Sequence, residues 1–255
     1  MLNNNLTSVL IIVLSFIFLT ACTTTGQHSI DPWEDWNRDV QSFNDDLDEH
    51  VMRPIAEGYE WIMPSFASQG VSNFFSNIDD IGVTLNDFLQ GKFLQGSQDG
   101  ARFLINSTLG IGGLFDVAAE LELTKNNEDF GQTLGVWGLP TGYYMVVPFV
   151  GPSSPRGIVG LIGDSATDPI SYVASPYIST GLSVLNAIDT RANMLTLGKI
   201  ADEAALDRYL FFRDSYIARR KYLVYDGEIP DEELEGDFDL DKALDEQLEE
   251  DSLKQ

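Results

Sequence analysis

Gly163-Asp164-Ser165 offers a serine in the setting used by lipid-cleaving hydrolases of the GDS type. Such a serine needs a histidine base, which those enzymes carry near the C-terminus. The chain has two histidines, His28 and His50, and both lie far upstream. Asp164 and Ser165 therefore read as turn or helix-cap residues. No G-x-S-x-G, H-E-x-x-H or phosphate-binding loop is present. Gly110-Ile111-Gly112-Gly113 lacks the last glycine and the strand–helix setting of a dinucleotide site. Asp237, Asp239 and Asp241 alternate as in a calcium loop, but Lys242 and Leu248 stand where glycine and glutamate are required. Asp45, Asp46, Asp48 and Glu49 read as a solvated helix face. No metal, no cofactor and no enzymatic turnover are expected, although sequence leaves a paired-carboxylate site open.

The one cysteine, Cys22, excludes an intramolecular disulfide and points to a different chemistry. Residues Leu6 to Leu19 form an uncharged apolar run of signal-peptide length, short for a membrane span. It ends in Leu19-Thr20-Ala21-Cys22, the pattern of a bacterial lipobox. Small residues fit the peptidase groove, and the thiol takes the diacylglyceryl thioether. Two or three acyl chains then hold the chain to a bilayer, at roughly 0.8 kcal/mol per buried CH₂. Thr23 in place of aspartate favours the outer membrane. Residues 1–21 are the expected signal peptide and 22–30 a tether. Met1 to Asn5 carries no basic side chain, so an uncleaved anchor with an incidental cysteine is the alternative.

The net charge is −25 over 255 residues, which excludes nucleic acid as a partner. It also excludes polybasic attraction to an anionic membrane. Residues 226–255 hold fourteen acidic residues against two lysines and read as a disordered or weakly helical, solvating tail. Hydrophobic residues at 44% support a folded body over 31–225.

The elements of that body read as all-α. A helix starts at Asp31 as N-cap, with Trp33, Trp36, Val40, Phe43, Leu47 and Val51 as its core stripe. Pro54 and Pro64 bracket a short segment. In the next helix Val71, Phe74, Phe75, Ile78, Leu85 and Leu89 share one face, and Asn73, Asn77 and Asp80 lie elsewhere. Gln98 to Thr108 reads as a helix with Phe103 and Leu104 inward. Leu109 to Val117 is apolar and glycine-rich. Gly131 to Gly151 has five glycines, two prolines and no charge. That composition argues against a regular helix and for a hairpin turning near Pro140. It is either buried in the core or inserted against lipid or a partner. Ser153 to Gly163, Ile178 to Leu197 and Asp202 to Tyr225 complete the helices, with Arg219, Arg220 and Lys221 against the last helix terminus.

In order along the chain, certain blocks resemble the MlaA/VacJ lipoprotein family. They are Phe43-Asn44, Arg53-Pro54-Ile55-Ala56, Val71-Ser72-Asn73-Phe74-Phe75-Ser76-Asn77 and Asn86-Asp87-Phe88-Leu89-Gln90-Gly91. Arg102 to Asp116, Glu128 to Gly135, Pro148 to Ser153, Asp189-Thr190-Arg191 and Arg213 to Tyr216 follow. The resemblance implies a ring-like, all-helical single domain within the inner leaflet of the outer membrane, lipid-anchored on the periplasmic side. Its channel would pass mislocalised outer-leaflet phospholipid to a periplasmic carrier, beside a trimeric porin, and so maintain lipid asymmetry. Asn73, Phe74, Phe75 and Asn77 are then candidates to line that channel. Trp137, Leu139, Tyr143, Tyr144, Val146 and Phe149 are candidates to face membrane or partner. The competing reading is a structural or adhesive lipoprotein with protein contacts only, and a more distant one is a lipase using Ser165.

Overall fold

The computed structural model describes residues 30–231, except 174 and 206. Cys22, the signal segment and the acidic tail beyond 231 lie outside the described residues. Helix α1 (Glu34–Leu47) runs through a single π-helical turn (Asp48–Met52) into α2 (Arg53–Ile62). Pro54 has no N–H to give, and the wider turn before it accommodates the missing bond. Met63 is extended before Pro64 and ends α2. Helix α3 (Ser65–Gln90) stops at Gly91, whose φ of 80° suits glycine. Helix α4 (Phe93–Thr108) folds back along α3.

A glycine loop leads to α5 (Val117–Glu120), capped by Asp116, and then to α6 (Phe130–Val136), capped by Asp129. Strands β1 (Met145–Val147) and β2 (Gly151–Ser153) pair antiparallel, with Val146 opposite Pro152. Helix α7 (Pro155–Thr167) is capped by Ser154 and followed by a 3₁₀ turn (Pro169–Tyr172). Helices α8 (Pro176–Asn193), α9 (Leu195–Ala204) and α10 (Arg208–Val224) complete the described chain.

The helical class stands, and several local readings are corrected. Residues 130–136 are helical despite their glycines, because Gly131 and Gly135 admit close neighbours rather than turns. A Cβ on either would lie 2.8 Å from Arg220 or Val224. The hairpin reverses at Pro148–Val150, not near Pro140, with Phe149 at φ 67°. Asp31 is not a cap. It is buried, accepting from Asn37 Nδ2 at 2.8 Å and from the Tyr209 hydroxyl. The expected helix from Asp202 breaks, and Asp207 caps α10. Asp164 and Ser165 lie inside α7, where Ser165 Oγ donates to Leu161 O at 2.7 Å. Arg220 binds Asp129 at 2.5 and 2.9 Å instead of serving the helix end.

Each wall packs on the next in a closed circuit. It runs from α1 to the hairpin, then α10, α6, α3, α8, α2 and back through the π turn to α1. A small apolar core sits at one corner, made by Val40, Tyr144, Val146 and Tyr209 with Leu210, Tyr216 and Ile217. Elsewhere the expected polarity is reversed. More polar and charged residues than apolar ones are buried among the described residues. Of the α1 stripe, Val40 alone is buried, while Trp36 is 64% exposed and Phe43 also faces out. Leu85, Phe88 and Leu89 of α3 are exposed, and Asn77, Asp80, Asn86 and Asp87 are inside. On α4, Leu104 is 61% exposed, whereas Arg102 at 2% and Asn106 are buried. The periods were helical, but the apolar face points outward.

Candidate functional site

The circuit of helices encloses a cavity of about 600 Å³. Helix α3 contributes Ser72, Phe75, Ser76, Asp79 and Val83, a single stripe at three- and four-residue steps. Helix α8 contributes Asn186, Asp189, Thr190 and Asn193 opposite, and Arg219, Arg220 and Leu223 of α10 add a third wall. A second cavity of about 490 Å³ lies between α8, α1 and the hairpin tip. Asn186, Thr190 and Met194, four residues apart along one face, line both.

Asp189 fastens three walls together. It accepts from Tyr59 Oη of α2 at 2.8 Å, Ser72 Oγ of α3 at 2.7 Å and Asn193 Nδ2 at 3.2 Å. Burial, with the Asp189 hydrogen bond, pushes the Tyr59 hydroxyl up. Burial also acts to raise Asp129, but its Arg220 hydrogen bonds outweigh it and hold the carboxyl below the usual range. Asp164 accepts from Phe130 N at 2.9 Å and Asn86 Nδ2 at 3.4 Å, and burial lifts its pKa to about 6. Lys125 spans Asp80 and Ser76 O, at 2.7 and 2.8 Å. Glu128 receives Gln90, Lys92 and Gln95 at 2.9, 2.9 and 3.0 Å, and Asp168 receives Ile170 N at 2.9 Å. Asp79 and Arg219 line the cavity without a hydrogen bond or ion pair to any described residue. Confinement raises the Asp79 pKa, opposed by Lys125.

Of the four candidate lining residues, Phe75 alone reaches the cavity. Asn77 donates to Ser107 Oγ at 2.9 Å, and Asn73 to Leu114 O at 3.1 Å. Asn73 fastens the glycine loop after α4 and Asn77 the end of α4 itself, and a Cβ on Gly113 would lie 2.7 Å from that of Asn77. Phe74 packs edge-on against Phe75. The six hairpin candidates divide. Tyr144, 1% exposed, and Val146 belong to the apolar core, because the pleat turns them inward onto Val40 and Tyr209. Trp137, Leu139 and Tyr143 are exposed, and Phe149, 75% exposed, lines the second cavity. The residues missed by sequence reading, Ser72, Ser76, Asp79, Asn186, Asp189 and Thr190, follow helical spacing. The polar stripe, read in place of the apolar one, locates them.

The outside is unusually apolar. In the glycine loop Ile111 is 66% exposed, with Leu109, Leu114 and Phe115 beside it. Gly110 cannot carry a side chain there, since a Cβ would fall 2.1 Å from Phe115 O. Among the described residues no helix is long and apolar enough to cross a membrane. A polar interior of this size inside an apolar exterior can take up a polar group while lipid surrounds the wall.

Comparison with known proteins agrees. The family model described as MlaA lipoprotein matches residues 29–223. The Escherichia coli intermembrane phospholipid transport system lipoprotein MlaA is 33% identical over 87% of this chain and 90% of its own length. The Haemophilus influenzae protein of the same name is 30% identical over 93% and 98%. A solved structure from work on the "structural basis for maintenance of bacterial outer membrane lipid asymmetry" superposes with a TM-score of 0.68 at 32% identity, covering 77% of this chain and all of the other. The chain belongs to the MlaA lipoprotein family.

Proposed function

We propose that this protein is an anchored conduit that removes phospholipid from the outer leaflet of the outer membrane and so maintains its lipid asymmetry. The observation that carries this reading is the hydrogen-bonding cavity walled by helices whose apolar faces point outward. A phospholipid needs both: polar groups for its head and apolar surroundings for its tails. Ser72, Asn186 and Thr190 offer the first, and Phe75, Val83 and Leu223 offer the second within the same cavity. An adhesive or structural lipoprotein has no need of such an interior.

On this reading residues 1–21 are removed, Cys22 carries the acyl anchor and 22–30 is the tether. The body 31–225 lies in the inner leaflet, facing the periplasm, and 226–255 is a solvating tail. The exposed Trp137, Leu139, Tyr143, Ile111 and Phe115 meet lipid or a trimeric porin. A soluble periplasmic carrier receives the lipid. The relevant chemistry is passage without bond breaking.

The test is surface-exposed phospholipid in cells lacking the gene, assayed with a reagent confined to the outer leaflet. Deletion should raise it, and wild type should restore it. Cys22→Ala should fail for want of an anchor. Thr190→Trp should fail while remaining folded, because it fills the wall common to both cavities. Full function of a folded Thr190→Trp protein would sink the conduit.

A further inference from the structure

Nine charged residues line the larger cavity, and seven of them are engaged by hydrogen bonds or ion pairs within the protein. The two left over are opposite in sign. Asp79 projects from α3 and Arg219 from α10, and neither has a hydrogen bond or ion pair to a described residue. We propose that Asp79 and Arg219 form a zwitterion site that selects amine-bearing phospholipid head groups, Arg219 taking the phosphate and Asp79 the ammonium. This rests on the conduit reading above.

A guanidinium is the side chain best matched to phosphate oxygens, and its long stem lets Arg219 reach inward from the exposed end of the wall. A carboxylate complements an ammonium in charge and in hydrogen bonding. Asp79 is exposed towards the open cavity, so its carboxylate is available to an arriving ammonium. The remaining lining supports the same choice. It carries more carboxylates than cations, and the carboxylates of Asp164, Asp168 and Asp189 have no paired lysine or arginine. A head group with phosphate alone enters against that field, whereas ethanolamine brings its own compensating charge. No bond is made or broken, so the outcome is selection, not reaction.

The experiment uses the full-length lipidated protein equilibrated with vesicles of equimolar phosphatidylethanolamine and phosphatidylglycerol bearing identical acyl chains. Lipid retained after detergent extraction is quantified by mass spectrometry, and the amount kept by Thr190→Trp is subtracted as surface lipid. The wild type should retain phosphatidylethanolamine about fivefold over phosphatidylglycerol. Asp79→Asn should bring the ratio close to unity with total lipid unchanged. Arg219→Gln should lower both lipids together, and Arg219→Lys should restore much of the loss. Neither side chain has a hydrogen bond or ion pair to a described residue, so unaltered melting of these variants separates binding from unfolding. Excess glycerophosphoethanolamine, the soluble head group, should not displace the lipid, and displacement by it would point instead to recognition of a free metabolite. Retained lipid with no head-group bias, or a bias that survives Asp79→Asn, overturns the zwitterion site and leaves the conduit standing. No lipid beyond that of Thr190→Trp overturns both.

Discussion

The hairpin corner and the α3–α4 pair hold together by different means. At the corner, Tyr144 meets Tyr209 and Tyr216 edge-on at 6.0 and 5.9 Å over Val40 and Val146. That is a small core of the kind water drives. From α4 to α3 and to the segment after α4 the contact is polar. Arg102 binds Asp116 at 2.9 and 3.1 Å, donates to Leu123 O and lies 3.8 Å from Asp80. Asn106 donates to Asp116 at 2.9 Å and accepts from Ala118 N at 2.9 Å. Helices that show their apolar faces to lipid gain nothing from hiding them from water, so hydrogen bonds and close packing must hold them. On the proposed placement, the difference separates a part of the molecule organised for water from a part organised for a bilayer.

The comparison breaks most visibly at Arg102. Arg102→Ala leaves the half-buried Asp116 without its cation and Asp80 with Lys125 alone, and should cost ~3 kcal/mol in denaturant unfolding of the detergent-solubilised protein. Val146→Ala removes two methyls from the corner and should cost ~2 kcal/mol in the same assay. If the two costs were reversed, the Arg102 network would not be what holds α4 against its neighbours.

The third prediction concerns pH. Burial, reinforced by the neighbouring Asp99 carboxyl, lifts Asp87 to about 7, and burial lifts Asp164 to about 6. Both are raised above their unfolded values, so the native state binds these protons more tightly. Stability should therefore grow as pH falls from about 7 towards 4, and fade as pH rises through that window. Asp116 and Asp129 are lowered despite their burial, by hydrogen bonds from Asn106 and Arg102 and from Arg220 respectively. Their contribution is lost at more acid pH, below that window. Asp87→Asn should flatten the slope, as read by unfolding midpoints across the range. The smallest effect is expected at the corner. The Tyr144 hydroxyl is buried without a partner, so Tyr144→Phe should leave stability unchanged or slightly higher.

Sequence reading located the helices better than it oriented them. Trp33, Trp36 and Phe43 on α1, or Phe103 and Leu104 beside Arg102 on α4, announce a helical period. Period alone does not say which face is inside, because the choice depends on the surrounding medium. Assigning a core face to every apolar stripe puts Asn77 and Asp80 on the wrong side. Composition points to Asn73 and Asn77, while the cavity stripe runs one residue away, through Ser72 and Ser76. Glycine caused the other errors. Gly131 and Gly135 signal turns by composition, yet in α6 they make room for Arg220 and Arg156. Contacts that distant in sequence leave no local signature. The Arg220–Asp129 pair joins residues 91 apart and reads locally as a helix-end charge. The family resemblance was legible because it rests on the order of many short blocks, none of which requires knowing which face points inward.

The last wall of the larger cavity, α10, is held in place by the first helix and the residues before it. Asp31 is tied to Tyr209, Arg38 to Asp207 at 3.0 Å, and Asp45 to Arg208 at 3.2 Å. Contacts of such long sequence separation form late and slowly. While α10 is still to be made or delivered, the compartment lacks its Arg219 and Leu223 side and stands open. A nascent or truncated chain thus has no complete compartment with which to extract lipid from the membranes it passes, and the ability to carry cargo arrives only with the last helix.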